Sequence, residues 1–328
     1  MTGEPLFHLL RPEHLPSPAD VAGYLRTRGG VLPAAIGHRD DARALDAVRA
    51  AVAAVPMAAG TVVDGPDGAE SAGNRDNDQA FGIVRVDGDR PALFVHTVLK
   101  GYEALLADTS AGGTDLTGEQ WRTLRQALGV MLEQPPQDRL ARQWRPLPRR
   151  TDQPPAAALR RWVRGHRLFM VLIQGLVQAS GDLAGRLRAG DREPVAALDR
   201  AILLMRASEV ALRFAGDFSI ADYDAVVRPT LMPPHSPPGM SGLHWRDHEH
   251  LIKNLAATRD LLTGVDPALA GMRAAFRRAY AEVYDAHRFV CARFVGEESA
   301  SLLMAKSKQS AVAVLDRYKQ ARLHNVPE

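Results

Sequence analysis

The chain has 328 residues, of which 46% are hydrophobic, 24% charged and 6% aromatic. This composition is typical of a folded globular protein and excludes collagen-like and intrinsically disordered chains. The length accommodates one large domain or two smaller ones. The single cysteine, Cys291, excludes an internal disulfide framework and any metal site built from several cysteines, and it favours a reducing compartment.

The charge pattern argues against a nucleic-acid-binding protein. The 41 basic residues are nearly balanced by 38 acidic ones, which leaves a net charge of +3, and no basic stripe interleaved with aromatic residues is present. The chain does not open with a basic segment followed by an apolar one, and it has no run of about 18 apolar residues. We therefore expect a cytoplasmic protein that binds neither nucleic acid nor a membrane. Whether it forms a homodimer stays open.

The first ninety residues are predicted as an irregular region with a single helix. Proline and glycine interrupt this region repeatedly, and only Asp41–Ala54 shows a convincing helical period. Residues 84–93 contain an Asp-Gly turn between short apolar pieces and predict a small hairpin. Pro91 would restrict the second strand of that hairpin to a sheet edge.

Residues 91–328 are predicted to form an all-α domain. Helical periodicity begins at residue 92 and is clear again around Trp121, Leu124 and Leu128. Prolines make residues 134–155 a connection between two layers of helices. A shorter helix is expected near the C-terminus. Four long helices are predicted over residues 156–180, 194–214, 245–262 and 267–295.

The last long helix carries a histidine inside an apolar stripe. Residues 271–295 repeat apolar side chains at steps of three and four, which places them on one helix face. This face consists of Met272, Phe276, Tyr280, Val283, His287, Val290, Cys291 and Phe294. A buried imidazole needs a partner, and two interpretations stay open for His287. It is a core histidine hydrogen-bonded to a backbone carbonyl, or it is the proximal ligand of a haem iron.

A proline-rich segment before the helix at residue 245 has features of a ligand-binding loop. Five prolines and two glycines lie between residues 229 and 242, and long restricted loops in helical domains are often functional. Ser241 and Gly242 precede a helix whose free N–H groups would suit a substrate carboxylate. Arg228 could bind such a carboxylate with its planar guanidinium, or it could form a structural salt bridge.

His244 and His248 suggest a different kind of site. They are one helical turn apart and could bind zinc or a non-haem metal with Asp247 or Glu249. The alternative is a solvated surface in the first turn of a helix.

His96 lies in the mostly apolar segment FVHTVL. Its imidazole could serve as an acid, a base or a hydrogen-bond donor to a bound substrate, or it could be satisfied within the core. His166, in WVRGHRLFM, could also enter the core, although its patterning is weaker.

In this order, the segments resemble the histidine-ligated haem-dependent aromatic oxygenase superfamily. That group includes indoleamine and tryptophan dioxygenases, monodechloroaminopyrrolnitrin synthase and bacterial haem-dependent tyrosine hydroxylases. The resemblance rests on ADYDAVVRPTLMPPHSPPGMSG, on AGMRAAFRRAYAEVYDAHRFVCARFV and, more briefly, on LFVHTVL. It implies an all-α fold that holds haem b between long helices.

The resemblance also implies roles for individual residues. His287 corresponds to the proximal haem ligand, Arg228 to the residue that holds the substrate carboxylate, and His96 to a distal histidine facing the substrate ring. His287 and Cys291 form an HxxxC spacing, and a family member that hydroxylates a methylated tyrosine uses this spacing to bond haem through a thioether. The sequence SKQSAVAVLDRY lacks the GTGG run of the dioxygenases, which disfavours ring cleavage.

The leading hypothesis is a haem enzyme that hydroxylates L-tyrosine to the catechol 3,4-dihydroxyphenylalanine with dioxygen or hydrogen peroxide. Oxygenation or ring cleavage of tryptophan or a substituted indole is the alternative within the same superfamily. A metal hydrolase or non-haem metalloenzyme using His244 and His248 is the alternative from another class. A helical module without catalytic activity, such as a haem carrier, is the third.

Overall fold

Helices dominate the described part of the chain. A computed structural model describes residues 4–27, 38, 40–55, 57, 60–63, 65, 71–134, 144–191, 194–237, 242, 245–296 and 310–327. Its main helices are α1 (Pro18–Thr27), α2 (Asp41–Ala54), α3 (Ala72–Ala80), α4 (Arg90–Gly112), α5 (Gly118–Met131), α6 (Pro155–Arg188), α7 (Val195–Ala215), α8 (Arg246–Thr263), α9 (Ala270–Val295) and α10 (Ala311–Leu323). The all-α prediction is therefore confirmed.

A small sheet lies in the N-terminal part of the fold. Its strands are β1 (Phe7–Leu10), β2 (Val62–Val63) and β3 (Ile83–Asp87), in the order β1-β3-β2. Strand β1 pairs with β3 in parallel, and β2 pairs with β3 in antiparallel fashion. Leu9 and Leu10 are fully buried, so this sheet belongs to the hydrophobic core instead of lying on its surface.

The N-terminal region is more ordered than predicted. Helix α2 has the predicted bounds, but α1, α3 and the sheet are additional. Helix α3 escaped prediction because its sequence, AGNRDNDQA, is polar throughout, and its start is set by the Ser71 side chain, which accepts a hydrogen bond from the Asn74 amide. The predicted hairpin is wrong. Residues 83–87 form one strand, and Pro91 lies in the first turn of α4, where a proline needs no N–H partner.

The four long helices occur where the sequence predicts them. Helix α6 is longer than expected, continuing to Arg188. It packs against α7 and α8, and α7 packs against α9. Gly165 on α6 allows α6 and α7 to approach each other closely, since a Cβ at this position would lie 2.4 Å from the Cα of Ala215 on α7. The predicted connection at residues 134–155 lies partly outside the described residues, and its described portion contains no helix before Pro155, the first residue of α6.

Helix α6 is also long and apolar enough to cross a membrane by length and composition. However, 78% of its most apolar 18-residue window is buried inside the protein. This burial is typical of a core helix. One hydrophobic cluster joins residues of the sheet, such as Leu9 and Val86, to residues of the long helices, such as Leu172 and Tyr284. The N-terminal elements therefore share their core with the helices that surround the candidate site.

Candidate active site

An apolar cavity lies between helices α6, α7, α8 and α9. It measures about 1460 Å³ including its open mouth. Each helix turns side chains three and four residues apart toward it, which is the spacing of one helix face. The chemically informative lining residues are Trp162 and His166 on α6, Trp245 and His248 at the start of α8, and Tyr280, Tyr284, His287 and Cys291 on α9.

His287 faces this cavity from the middle of α9. No hydrogen bond joins its ring to another described residue, and burial alone lowers its pKa from 6.5 to about 4. The imidazole is therefore neutral at physiological pH and has a nitrogen lone pair available, which is the form that binds iron. A core histidine would have a carbonyl or side-chain partner. The absence of one among the described residues favours the interpretation as a ligand.

Cys291 lies one helical turn beyond His287 and lines the same cavity. Four residues of α-helix span about 6 Å along the axis, so the two side chains are neighbours on one face. Burial raises the pKa of the thiol to about 11, which keeps it protonated. At this end of the cavity Tyr223 stacks on Phe294 with ring centroids 4.5 Å apart.

His166 faces the cavity from α6. The Nδ1 atom of its ring is 2.7 Å from the carbonyl oxygen of Trp162, so Nδ1 carries the proton and Nε2 is an acceptor. The ring stacks on Phe81 at 4.5 Å. Burial is the main cause that lowers the pKa of His166 to about 4, and the nearby His287 contributes in the same direction. The weak helical pattern around His166 did not indicate this position.

His248 lines the same cavity from the first turn of α8. Imidazoles on two helices, α8 and α9, thus line one cavity. The predicted partner His244 lies outside the described residues, as does Ser241. Among the residues that the structure describes, no group of three or more His, Cys, Asp or Glu side chains forms a metal site. The described residues therefore supply no ligand cluster for the alternative metalloenzyme.

A buried ionic network supports the start of α8. Arg85 pairs with Asp78 at 2.7 Å and with Asp247 at 2.6 Å. Asp78 also accepts a hydrogen bond from the indole of Trp245. The sequence did not reveal this network because its members come from separate segments and none lies in a recognisable motif.

Arg228 does not line the cavity. It lies in a 3-10 turn, Arg228–Leu231, that follows the π-helix Tyr223–Val227, and it pairs with Asp224 at 3.3 Å. Its side chain is 45% exposed, which corresponds to the salt-bridge alternative. Its neighbour Tyr223 does line the cavity, and so does Gly242. Arg228 is therefore beside the site, and a ligand in the cavity would have to compete with Asp224 for it.

His96 is distant from the group around His287. It lies on α4, where its Nδ1 atom is 2.7 Å from the carbonyl oxygen of Val55, and its charge affects His8 on β1. It is not among the cavity-lining residues. In this structure the apolar face that contains His96 packs against the N-terminal elements, so His96 does not occupy the distal position that the resemblance implies. The structure brings His166 to the cavity instead.

Comparison with known proteins identifies the family of the chain. The family described as SfmD 3-methyl-L-tyrosine peroxygenase matches residues 8–275 of the chain. The 3-methyl-L-tyrosine peroxygenase of Streptomyces lavendulae is 40% identical over 333 residues, covering 98% of this chain and 91% of that protein. A crystal structure described as reduced SfmD, soaked with sodium hydrosulfite, aligns with a TM-score of 0.69 and 38% identity, covering 87% of this chain and 97% of that one.

The family match ends in the first two turns of α9, before His287, whereas the alignment to the Streptomyces lavendulae enzyme extends over nearly the whole chain. Similarity of this extent includes the elements that form the cavity. The chain therefore belongs to the SfmD 3-methyl-L-tyrosine peroxygenase family and is an oxidoreductase.

Proposed function

We propose that the protein is a haem-dependent peroxygenase that hydroxylates the phenol ring of a free tyrosine-type amino acid. The observation that carries the proposal is the pairing of His287 with Cys291 on one face of an apolar cavity in a peroxygenase fold. The tyrosine-type substrate and peroxide are taken from the activity named for the 40% identical relative.

The residues around the cavity fit a haem. The apolar and aromatic lining suits a porphyrin ring, and the neutral His287 imidazole suits the iron. His287 would hold the iron, and the thiol of Cys291 would bond the porphyrin edge. When bound, the haem would supply the oxygen-transfer chemistry, which belongs to the cofactor and not to the protein.

The protein's own contribution would be binding, orientation and exclusion of water. Trp162, Phe81 and Trp245 wall the cavity with aromatic surface, which shields it from solvent. His166 is held in one tautomer by the Trp162 carbonyl, so its Nε2 atom could accept a hydrogen bond from the phenol of the substrate. Arg228 remains the proposed partner of the substrate carboxylate once it leaves Asp224, and Gly242, which lines the cavity, remains a proposed substrate contact.

The proposed reaction is balanced with hydrogen peroxide as the only oxidant. One peroxide oxygen enters the ring carbon next to the phenol, and the other leaves as water, so the product is a catechol. We propose 3-methyl-L-tyrosine as the first substrate to assay, because it is named for the relative, and L-tyrosine as the second. L-tyrosine would give 3,4-dihydroxyphenylalanine.

The decisive experiment combines absorbance with product analysis. Purified protein is expected to show a Soret band, and incubation with peroxide and 3-methyl-L-tyrosine or L-tyrosine should add one oxygen atom by mass. L-tryptophan serves as the competing substrate, and dioxygen with a reductant serves as the competing oxidant. A gain of two oxygens on tryptophan would instead indicate ring cleavage.

His287→Ala should shift the Soret band, and His287→Ala combined with Cys291→Ala should abolish it, because the iron loses its proposed protein ligand and the porphyrin loses its proposed thioether. His324→Ala, at an exposed position after α10, is the matched control and should retain the band. A colourless wild-type protein that contains stoichiometric zinc would refute the proposal and support the metalloenzyme that uses His244 and His248. If the protein binds haem but hydroxylates none of these amino acids, the result would refute the proposed activity and support the interpretation as a haem carrier.

A further inference from the structure

Two buried tyrosines lie side by side at one end of the cavity, with ring centroids 5.6 Å apart. Tyr280 and Tyr284 lie on α9, and their side chains are only 3% and 6% exposed. Both line the cavity. Neither hydroxyl has a partner at good hydrogen-bond geometry among the described residues, although the two hydroxyls interact with each other and Tyr284 interacts with Arg322. Buried hydroxyls are normally paired, because an unpaired one loses its bonds to water without replacement.

A positive charge lies beside this pair. Arg322, on α10, interacts electrostatically with both tyrosines. Its Nε atom is also buried without a hydrogen-bond partner among the described residues. Burial raises the pKa of both phenols, and Arg322 acts in the opposite direction, so both remain protonated donors at neutral pH. Two O–H donors next to a guanidinium form a suitable environment for an anionic oxygen ligand.

The position of this pair along α9 assigns it to one end of a bound porphyrin. With a rise of 1.5 Å per residue, Tyr284 and Tyr280 lie about 4.5 and 10.5 Å before His287, whereas Cys291 lies about 6 Å after it. Haem b carries its two vinyl groups on one half of the ring and its two propionates on the other. If a vinyl group points to Cys291, the propionate half extends toward the tyrosines.

The geometry points to Tyr280 and Tyr284 as a carboxylate-binding pair that holds a propionate of the haem, with Arg322 balancing its charge. This inference rests on the proposed function, because it requires haem in the cavity. A carboxylate could also come from the amino-acid substrate. The order of Tyr280, Tyr284, His287 and Cys291 along the helix favours the porphyrin.

The test compares haem b with its dimethyl ester, which lacks the two carboxylates. Cys291→Ala in the full chain provides a background in which binding is reversible, and the Soret band reports the affinity of the apoprotein for each porphyrin. Tyr280→Phe and Tyr284→Phe, singly and together, should weaken binding of haem b by about tenfold or more. They should leave the affinity for the ester unchanged. Tyr318→Phe, on α10 and outside the cavity lining, is the matched control.

Two outcomes would overturn the assignment to the porphyrin. One is an equal effect, or no effect, on haem b and its ester. The other is that the tyrosine variants bind haem b as tightly as before and bind L-tyrosine more weakly, while their binding of tyramine, which lacks the carboxylate, does not change. That result would assign the pair to the carboxylate of the substrate. Circular dichroism of each variant separates loss of binding from loss of fold, and the single variants keep the test valid if the double variant unfolds. Failure of the Cys291→Ala background to bind either porphyrin, with His287 intact, would instead count against the proposed function.

Discussion

The indole nitrogen of Trp245 donates a hydrogen bond of 2.8 Å to Asp78, although the two residues are 167 positions apart in the chain. Asp78 also receives the Nε atom of Arg85 at 2.7 Å, and Arg85 pairs in turn with Asp247. Trp245 and Asp247 lie at the start of α8, just before His248. Asp78 and Arg85, from the N-terminal region, thereby hold the start of α8, which forms one wall of the cavity.

Breaking this network should destabilise the whole fold. Asp78→Asn keeps the size of the side chain but leaves the buried Arg85 with only one carboxylate, so we expect a loss of about 3 kcal/mol in the free energy of unfolding. Urea denaturation followed by circular dichroism measures the loss. Asp76→Asn, on the same helix, is the control and should change stability by less than about 0.5 kcal/mol. Equal stability of the two variants would contradict a structural role for the network.

The stability of the apoprotein should depend on pH through the cavity histidines. Burial lowers the pKa of both His166 and His287 to about 4 from the ordinary 6.5. Between these values the unfolded chain binds more protons than the folded one, so the free energy of unfolding falls as the pH is lowered from 6.5 toward 4. The upper limit is about 1.4 kcal/mol per pH unit for each histidine.

Comparison with His287→Leu isolates this effect, because the carboxylates titrate alike in both proteins. Urea denaturation at several pH values should give a shallower pH dependence for the variant. Identical slopes would show that His287 is solvated in the apoprotein and has an ordinary pKa.

The long amphipathic helices could be predicted because each has a face of apolar side chains at steps of three and four. Helices α7, α8 and α9 begin and end within a few residues of the predicted positions for this reason. Helix α3 has no apolar face, and it is held by polar side chains whose partners lie elsewhere in the chain. Strand β3 was mistaken for half of a hairpin because its partner β1 is more than seventy residues earlier.

The candidate site was predictable only in part, for a related reason. The stripe on α9 identified His287 and Cys291, because both belong to one helix. The apolar pattern of a helix shows that one face is buried, but not which other elements that face packs against. The sequence around His96 and the sequence around His166 therefore both predicted only a buried histidine. In the structure His96 contacts Val55, and His166 faces the cavity. Arg228 pairs with Asp224, one helical turn earlier. This i, i+4 ion pair could have been predicted from the spacing of the two residues.

His166 and His96 should therefore respond differently to the same substitution. His166→Phe retains the stacking on Phe81 but removes the proposed hydrogen-bond acceptor for the substrate phenol, so we expect hydroxylation to slow by about tenfold with the Soret band intact. His96→Phe should lower thermal stability, because the hydrogen bond to Val55 is lost, and should leave the rate per haem nearly unchanged. A large loss of rate in His96→Phe alone would restore the distal role predicted from the sequence.

Removal of the Arg228 guanidinium should weaken substrate binding without loss of haem. We expect Arg228→Ala to raise the dissociation constant of L-tyrosine by about tenfold or more, because a charge-assisted hydrogen bond is lost. Binding of tyramine, which has no carboxylate, should not change. Spectral titration of the Soret band measures both. Since Arg228 pairs with Asp224 in the structure, Asp224→Asn should instead strengthen the binding of L-tyrosine, and an unchanged affinity in both variants would refute the assignment.

Cys291 should determine whether the haem is covalently attached to the protein. Its thiol can add across a vinyl group of the porphyrin, with the sulfur bonding one carbon and the hydrogen passing to the other, so the addition needs no external oxidant. We expect acidified organic solvent to leave the haem on the wild-type protein and to extract it from Cys291→Ala, with the mass of the intact chain reporting the same difference. Cys291→Ser removes the sulfur but keeps a polar side chain of similar size, and it should behave like Cys291→Ala. Free extraction of haem from the wild-type protein would mean that Cys291 only packs against the cavity, in which case His287 alone would anchor the cofactor on α9.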